Sequence, residues 1–172
     1  QTIPYWYPDA ELVEKIPYRM LHKRDFRPSE ASRFSDLFTK HNLWALALLV
    51  SAAGDNDDLR LMIQAAILAS SRRAQHLEAG GGYIPGTYHL PQMAKERNVL
   101  GVLTRVANKA IQARSAITKQ LHSASLLIST ETATSLSPIP TNSIDYIFTD
   151  PPYGGAVQYS ELNYLWEAWM RF

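Results

Sequence analysis

Apolar positions along the chain change their spacing three times, and the changes divide it. From Lys40 to Ala53 they crowd one side of a helix. Leu43, Leu46, Ala47 and Val50 recur at steps of three, one and three, with Trp44 and Leu48 widening the face. Thr39 stands at the N-cap and Gly54 at the position that ends a helix. Asp55-Asn56-Asp57 is a turn, and Asp57 or Asp58 is expected to cap a second helix over 59–78. On it Leu59, Met62, Ile63, Ala66, Ile67 and Ser70 share a face. The two read as an αα-hairpin. A third and longer pattern follows. Val99, Leu103, Val106, Ala110, Ala113 and Ile117 alternate steps of four and three, with Leu100, Ala107 and Ile111 beside them. It predicts an amphipathic helix from Pro91 to about Leu121, packed on the hairpin.

The pattern differs at both ends. Over 1–38, Pro4, Pro8, Pro17 and Pro28 break any long helix. Tyr5, Trp6, Tyr7 and Tyr18 crowd this arm, either as a stacking surface for bases or, the favoured reading, as rings of an extended arm laid over the body. Asp9 is placed to cap a short helix over 10–15. Arg19, His22, Lys23, Arg24 and Arg27 make a small basic patch. After residue 122 the helical period is lost. Ser125 to Ser129 reads as a strand, 131–136 as a short helical turn and 138–142 as a loop. Ile144 to Phe148 is β-branched and aromatic, broken only by Asp145 and bounded by turn residues, so it predicts a buried strand. A last helix is expected from Glu161 with Ser160 as its cap. Leu162, Leu165, Trp169 and Phe172 fall along one side of it. The chain therefore divides into an irregular arm (1–38), a helical region (39–122) and a mixed segment (123–172). The fold class is α/β, predominantly helical.

Charge adds one asymmetry. The chain is nearly neutral, with 17 basic and 16 acidic residues and a net charge of +1. Between Arg72 and Lys119, however, eight basic residues stand against Glu78 and Glu96, a local excess of six. Arg72, Arg73, Lys95, Arg97, Arg105 and Lys109 are the candidates for phosphate contact, the alternative being the solvated side of long helices. There is no cysteine, which excludes disulfides and thiolate metal sites, and the five histidines show no metal-ligand spacing. No run of 18 apolar residues is present, and the start has no basic leader, so a cytoplasmic protein without a membrane span is expected. Gly80-Gly81-Gly82 follows a helix where a cofactor turn follows a strand, so it reads as a loop.

The chemistry lies at Asp150-Pro151-Pro152-Tyr153. The prolines stop the preceding strand, and Asp150, before a proline, is held extended. The loop falls at the carboxyl end of a strand, where open α/β sheets bind ligands. Asp150 offers carboxylate acceptors, the Pro151 carbonyl an acceptor of fixed direction, and Tyr153 a ring face. Two acceptors and a stacking face suit the amino group of an unstacked nucleobase. They can hold both N–H groups and turn the nitrogen lone pair toward an electrophile.

These residues resemble the motif of S-adenosylmethionine-dependent amino-methyltransferases acting on DNA. The lead-in Ile139-Pro140-Thr141-Asn142-Ser143-Ile144-Asp145 is similar to theirs. The segment from Gly154 to Leu162 and, less specifically, Arg33 to Thr39 resemble a subgroup of large bacterial and archaeal DNA methylases. The resemblance covers about a quarter of the chain. It implies that 123–172 is an incomplete piece of a Rossmann-like class I methyltransferase fold, with Asp150, Pro151, Pro152 and Tyr153 as its catalytic loop. It also implies S-adenosylmethionine as cofactor, DNA as partner and a role in restriction-modification or defence. Asp in first position leans to adenine N6 over cytosine N4, and related enzymes make RNA base amines, such as guanine N2, the alternative. The glycine-rich cofactor turn of that fold is not found here. The cofactor site is therefore expected largely outside these residues, and the chain, which opens without methionine and stops within a helical pattern, reads as an excised piece inactive by itself. A non-catalytic helical nucleic-acid-binding module is the reading from a different class.

Overall fold

In the computed structural model of the protein, the described residues are 2–12, 31–74, 90–91, 93–120, 128, 132, 134–151 and 159–170. They are predominantly helical. A 3-10 turn, Phe34–Leu37, precedes helices α1 (Lys40–Ala53), α2 (Asp57–Ser70), α3 (Val99–Gln120) and α4 (Tyr159–Met170). No β-strand forms among the described residues. The backbone pairing outside the helices includes an isolated antiparallel bridge between Glu11 and Arg33.

Helix α1 has the bounds its sequence predicts. The Thr39 hydroxyl accepts the Asn42 N–H at 3.2 Å, and Gly54 closes the helix at φ 51°, a left-handed value that favours glycine. The cap of α2 differs from expectation. Asn56, not Asp57 or Asp58, accepts the Leu59 N–H at 3.0 Å, and the two aspartates lie in the first turn, where the helix dipole favours them. The helix also ends at Ser70, short of 78. The Ser71 hydroxyl donates to the Leu68 carbonyl at 2.8 Å, and the Arg72 N–H turns away to the Leu37 carbonyl at 2.7 Å. A side-chain bond and a tertiary bond thus replace the next helical turn.

Helix α3 starts at Val99, eight residues after Pro91. Asn98 caps it, its Oδ1 accepting the Gly101 N–H at 2.9 Å. Before it the chain is irregular and tied back, the Lys95 N–H donating to the Ala74 carbonyl at 2.6 Å. The predicted packing on the hairpin holds only for the first turns. Val99 and Val102 are buried, Leu103 and Val106 are half-buried, and every residue from 108 to 120 is exposed. The apolar stripe continues into solvent at Ile111, 63% exposed, and Ile117. Helix α4 begins at Tyr159, so Ser160 lies within it rather than capping it.

The core gathers Phe34, Leu37 and Phe38 of the first turn, Leu43, Leu46 and Ala47 of α1, Ile63 and Ile67 of α2, Val99 of α3, and Leu165 and Trp169 of α4. Ile3, Tyr5 and Tyr7 of the arm pack against it, so these two rings lie over the body as expected, and Tyr18 lies outside the described residues. The Trp169 ring, 1% exposed, meets Phe38 and Trp6 edge-on, with centroids at 5.6 and 6.4 Å. Edge-to-face pairs of this kind add to the burial of their area. Trp166 anchors α4 to α2, its indole N–H donating to the Gln64 carbonyl at 3.0 Å.

Polar bonds tie the layers. Asn42 is buried in the first turn of α1, and its amide donates to the Ser70 carbonyl at the end of α2 and the Arg97 carbonyl before α3, both at 2.9 Å. The arm is clamped by Asp9, which pairs with Arg33 at 2.8 Å and accepts from the Ser35 hydroxyl at 2.6 Å. Asp9 thus takes partners from 33–35. Ala10 is irregular and Glu11 is in the bridge, so of the helix expected over 10–15 only Leu12 is helical among the described residues. The remainder of that expected helix and the basic patch over 19–27 lie outside the described residues, as do Gly80-Gly81-Gly82.

Candidate functional site

The approach to Asp150 starts in a tight turn. Asn142 adopts φ 60°, a left-handed conformation that asparagine tolerates better than most residues, and the Ser143 hydroxyl donates to the Pro140 carbonyl at 2.7 Å. This agrees with the loop read from the sequence. The turn delivers the chain to Ile144–Phe148, and here the expectation of a buried strand is corrected. These residues form no strand, and they stand in solvent, Tyr146 at 80% and Phe148 at 82% exposure. The physical reason is pairing. A β-prone run becomes a buried strand only when neighbours satisfy its backbone and cover its faces, and the described residues supply neither. The strand expected at 125–129 lies mostly outside the described residues, and Ile128 itself is exposed.

Asp150 and Pro151 are exposed, and Asp150 makes no hydrogen bond or ion pair among the described residues. Its carboxylate is thus not consumed in holding the fold. Pro152 and Tyr153 lie outside the described residues. The chain re-enters the core in α4, through Leu165 and Trp169.

The six basic candidates divide by position. Arg72 serves the fold, its guanidinium donating to the Asp36 carbonyl at 2.8 Å while its backbone N–H holds Leu37. Arg73 is buried, and Lys95 and Arg97 are half-buried in the segments that join α2 to α3. Arg105 and Lys109 are exposed on α3. With Lys119, also exposed, they fall on one side of the helix at offsets of 0, 4 and 14 residues. At 1.5 Å per residue this is a basic row about 21 Å long. Arg114 is exposed on another side. Sequence reasoning singled out the six but left Arg114 and Lys119 off the list of contacts. The exposure of the outer half of α3 depends on where the helix leaves the body, which no periodicity shows.

Three ionisable groups are perturbed among the described residues, and the hydrogen bond to Asp9 raises the Arg33 guanidinium. The Arg33 guanidinium bonded to Asp9 holds its carboxyl below the usual carboxylate value, against a smaller opposing effect of burial. Burial against Phe34, whose ring lies 5.7 Å away, pushes the Tyr164 phenol up. None lies in the motif.

Comparison with protein-family models, with curated proteins and with solved structures gives no match to this chain. Among the described residues no group of three or more histidine or acidic side chains is placed to hold a metal, and no helix is long and apolar enough to cross a membrane.

Proposed function

We propose that this chain is part of an S-adenosylmethionine-dependent enzyme that methylates an exocyclic amine of DNA, with adenine N6 the target that Asp150 favours. The observation that carries the reading is the Asp150-Pro151-Pro152-Tyr153 sequence behind a five-residue β-prone run. The exposure of Asp150, free of internal partners among the described residues, supports it. In this reading Ile144–Phe148 is a strand of a Rossmann-like sheet whose remaining strands come from elsewhere in the protein. Their arrival would bury the apolar faces that now meet water.

The chemistry asked of the residues is modest. The Asp150 carboxylate and the Pro151 carbonyl accept the two N–H groups of the flipped base, and Tyr153 stacks on its ring. This leaves the nitrogen lone pair pointing away from both acceptors. A bound S-adenosylmethionine would supply a sulfonium methyl group as the electrophile. The nitrogen, held by its two N–H groups, would give up its extra proton to the Asp150 carboxylate or to water. The contribution of the loop is positioning and electrostatic preorganisation. The basic row Arg105, Lys109 and Lys119 would contact the phosphates. Arg72 and Arg73, engaged in or buried within the fold, would not.

A second reading, a helical nucleic-acid-binding module without catalysis, draws on that same exposed row. One experiment separates the two. In the protein that carries this chain, labelled methyl transfer is measured on duplex DNA and on transfer RNA, beside DNA affinity, for the parent and for Asp150→Ala. The methyltransferase reading expects transfer to adenine in DNA, abolished by the substitution, with affinity kept within about threefold, less than 1 kcal/mol. Binding with no transfer by the parent supports the module, and transfer confined to transfer RNA moves the substrate to RNA. Arg105→Ala with Lys109→Ala should flatten the salt dependence of binding by about two units of slope.

A further inference from the structure

The polar side of α3 carries more than its cations. At about 100° per residue, Arg105, Asn108, Lys109, Gln112 and Lys119 fall within an arc of about 100°, clear of Val99, Val102, Leu103 and Val106, which pack on the body. All five are exposed, and their side chains make no hydrogen bond or ion pair among the described residues. The helix holds no acid to neutralise them. Along the row cation and amide alternate: arginine, asparagine, lysine, glutamine, lysine.

The length and order of this row fit one ligand. At about 1.5 Å per residue the outer cations, Arg105 and Lys119, stand about 21 Å apart, with both amides between them. The major groove of B-DNA is about 12 Å wide and admits an α-helix. A row laid across it puts its end cations over the phosphates of the two strands and its amides over the base edges. Cations serve phosphates, whereas an amide, with a donor and an acceptor side by side, matches N6 and N7 of adenine. Duplex RNA offers no such seat, because its major groove is too deep and narrow for side chains. Ile111 and Ile117 fall outside the arc, so seating the row does not press them against phosphate.

We infer that the outer half of α3 enters the major groove of DNA and reads sequence there. Asn108 and Gln112 each take an adenine edge, while Arg105, Lys109 and Lys119 hold the flanking phosphates. The inference rests on DNA being the partner in the proposed function, and it adds the element that selects where on the duplex the Asp150 loop acts.

The test uses the protein that carries this chain and a library of random-sequence duplexes. Bound duplexes are selected and sequenced, and methyl transfer to them is followed alongside. The parent is expected to select a site with fixed A·T pairs at two positions. Asn108→Ala with Gln112→Ala should relax both positions and weaken binding to that site about thirtyfold, the low end for two bidentate base contacts. Binding to unrelated duplexes and the slope of affinity against salt should not change, because amides release no counterions. Lys119→Gln should instead lower that slope by about one unit on every sequence. Alanine is a good helix former and both sites are exposed, so the double variant should keep the helix, which circular dichroism checks. Gln112→Ala alone, relaxing one position, serves if it does not. An unchanged selected site in the variant overturns the inference. So does an equal loss on unrelated duplexes, an equal preference for duplex RNA of the same sequence, or a parent that selects no sequence. Those results leave the methyltransferase reading standing where the parent transfers methyl groups. Selection without transfer sinks that reading instead and leaves the inference in place.

Discussion

Asn42 is a single polar side chain on which the relation of three helices depends, and its removal should be costly in a specific way. In Asn42→Ala the Ser70 carbonyl, an acceptor at the end of α2, loses its partner in a buried setting. The cost of such a loss is about 1–3 kcal/mol. The Arg97 carbonyl is only partly buried, so water can replace the amide there and the loss is about 0.5–1.5 kcal/mol. Together the substitution should cost about 2–4 kcal/mol, a large share of the total stability of a typical domain, about 5–15 kcal/mol. It should lower the thermal midpoint by about 5–15 °C. Urea unfolding followed by circular dichroism measures the first quantity and a thermal scan the second. The Thr39 cap uses the Asn42 backbone N–H and survives the change, so the helicity of α1 should persist. What loosens is the attachment of α3, seen as faster hydrogen exchange at Val102, whose N–H bonds the Asn98 carbonyl. Asn42→Asp should be worse than alanine, because a carboxylate would face two carbonyls with no donor. A loss below about 0.5 kcal/mol for Asn42→Ala, or aspartate tolerated better than alanine, would refute the reasoning.

Three further outcomes are expected. Trp169→Ala, which empties a site 1% exposed beneath two edge-on rings, should cost about 3–5 kcal/mol in chemical denaturation, whereas Trp166→Phe should cost about 1 kcal/mol for one lost hydrogen bond. Ile111→Glu and Ile117→Glu should each change stability by less than about 0.5 kcal/mol, while Val102→Ala, at the packed end of the same helix, should cost about 0.5–1.5 kcal/mol or more. The folded pKa of Asp9 lies below its unfolded value of 3.8, so its pairing with Arg33 contributes stability above that value. The contribution is lost as pH falls through the folded pKa. Both side chains are over a third exposed, so the loss in Arg33→Ala should be small at pH 7 and smaller near pH 2, what remains coming from the guanidinium's bond to the Asp9 backbone carbonyl, measured as paired unfolding curves.

How much of this was legible follows from which signals are local. Thr39 and Gly54 bracket α1 because a cap and a left-handed glycine act within a few residues. Leu165 and Trp169 could be placed on one face because their spacing alone puts them there. Ser70 as the end of α2 was not legible, since the bond that diverts Arg72 reaches back to Leu37, 35 positions away. Asn98 is as good a cap as Thr39, but Pro91 offers an equally orthodox helix start and the stripe begins near both. The role of Asn42 was not legible, because its two acceptors lie in other elements. At the candidate site, the residue types of 144–151 carried the chemistry, while their exposure could not be read, since burial of a strand is a property of its neighbours.

Ile144–Phe148 also matters for how the chain behaves in company. Four residues that prefer extended backbone, two of them aromatic and none covered among the described residues, offer a template on which a second copy can lay its own equivalent segment. Asp145 within the run and Asp150 just past it put like charges side by side in any such stack, which is how natural sequences deter it. Exchanging either acid for a neutral residue would therefore remove a guard against self-association.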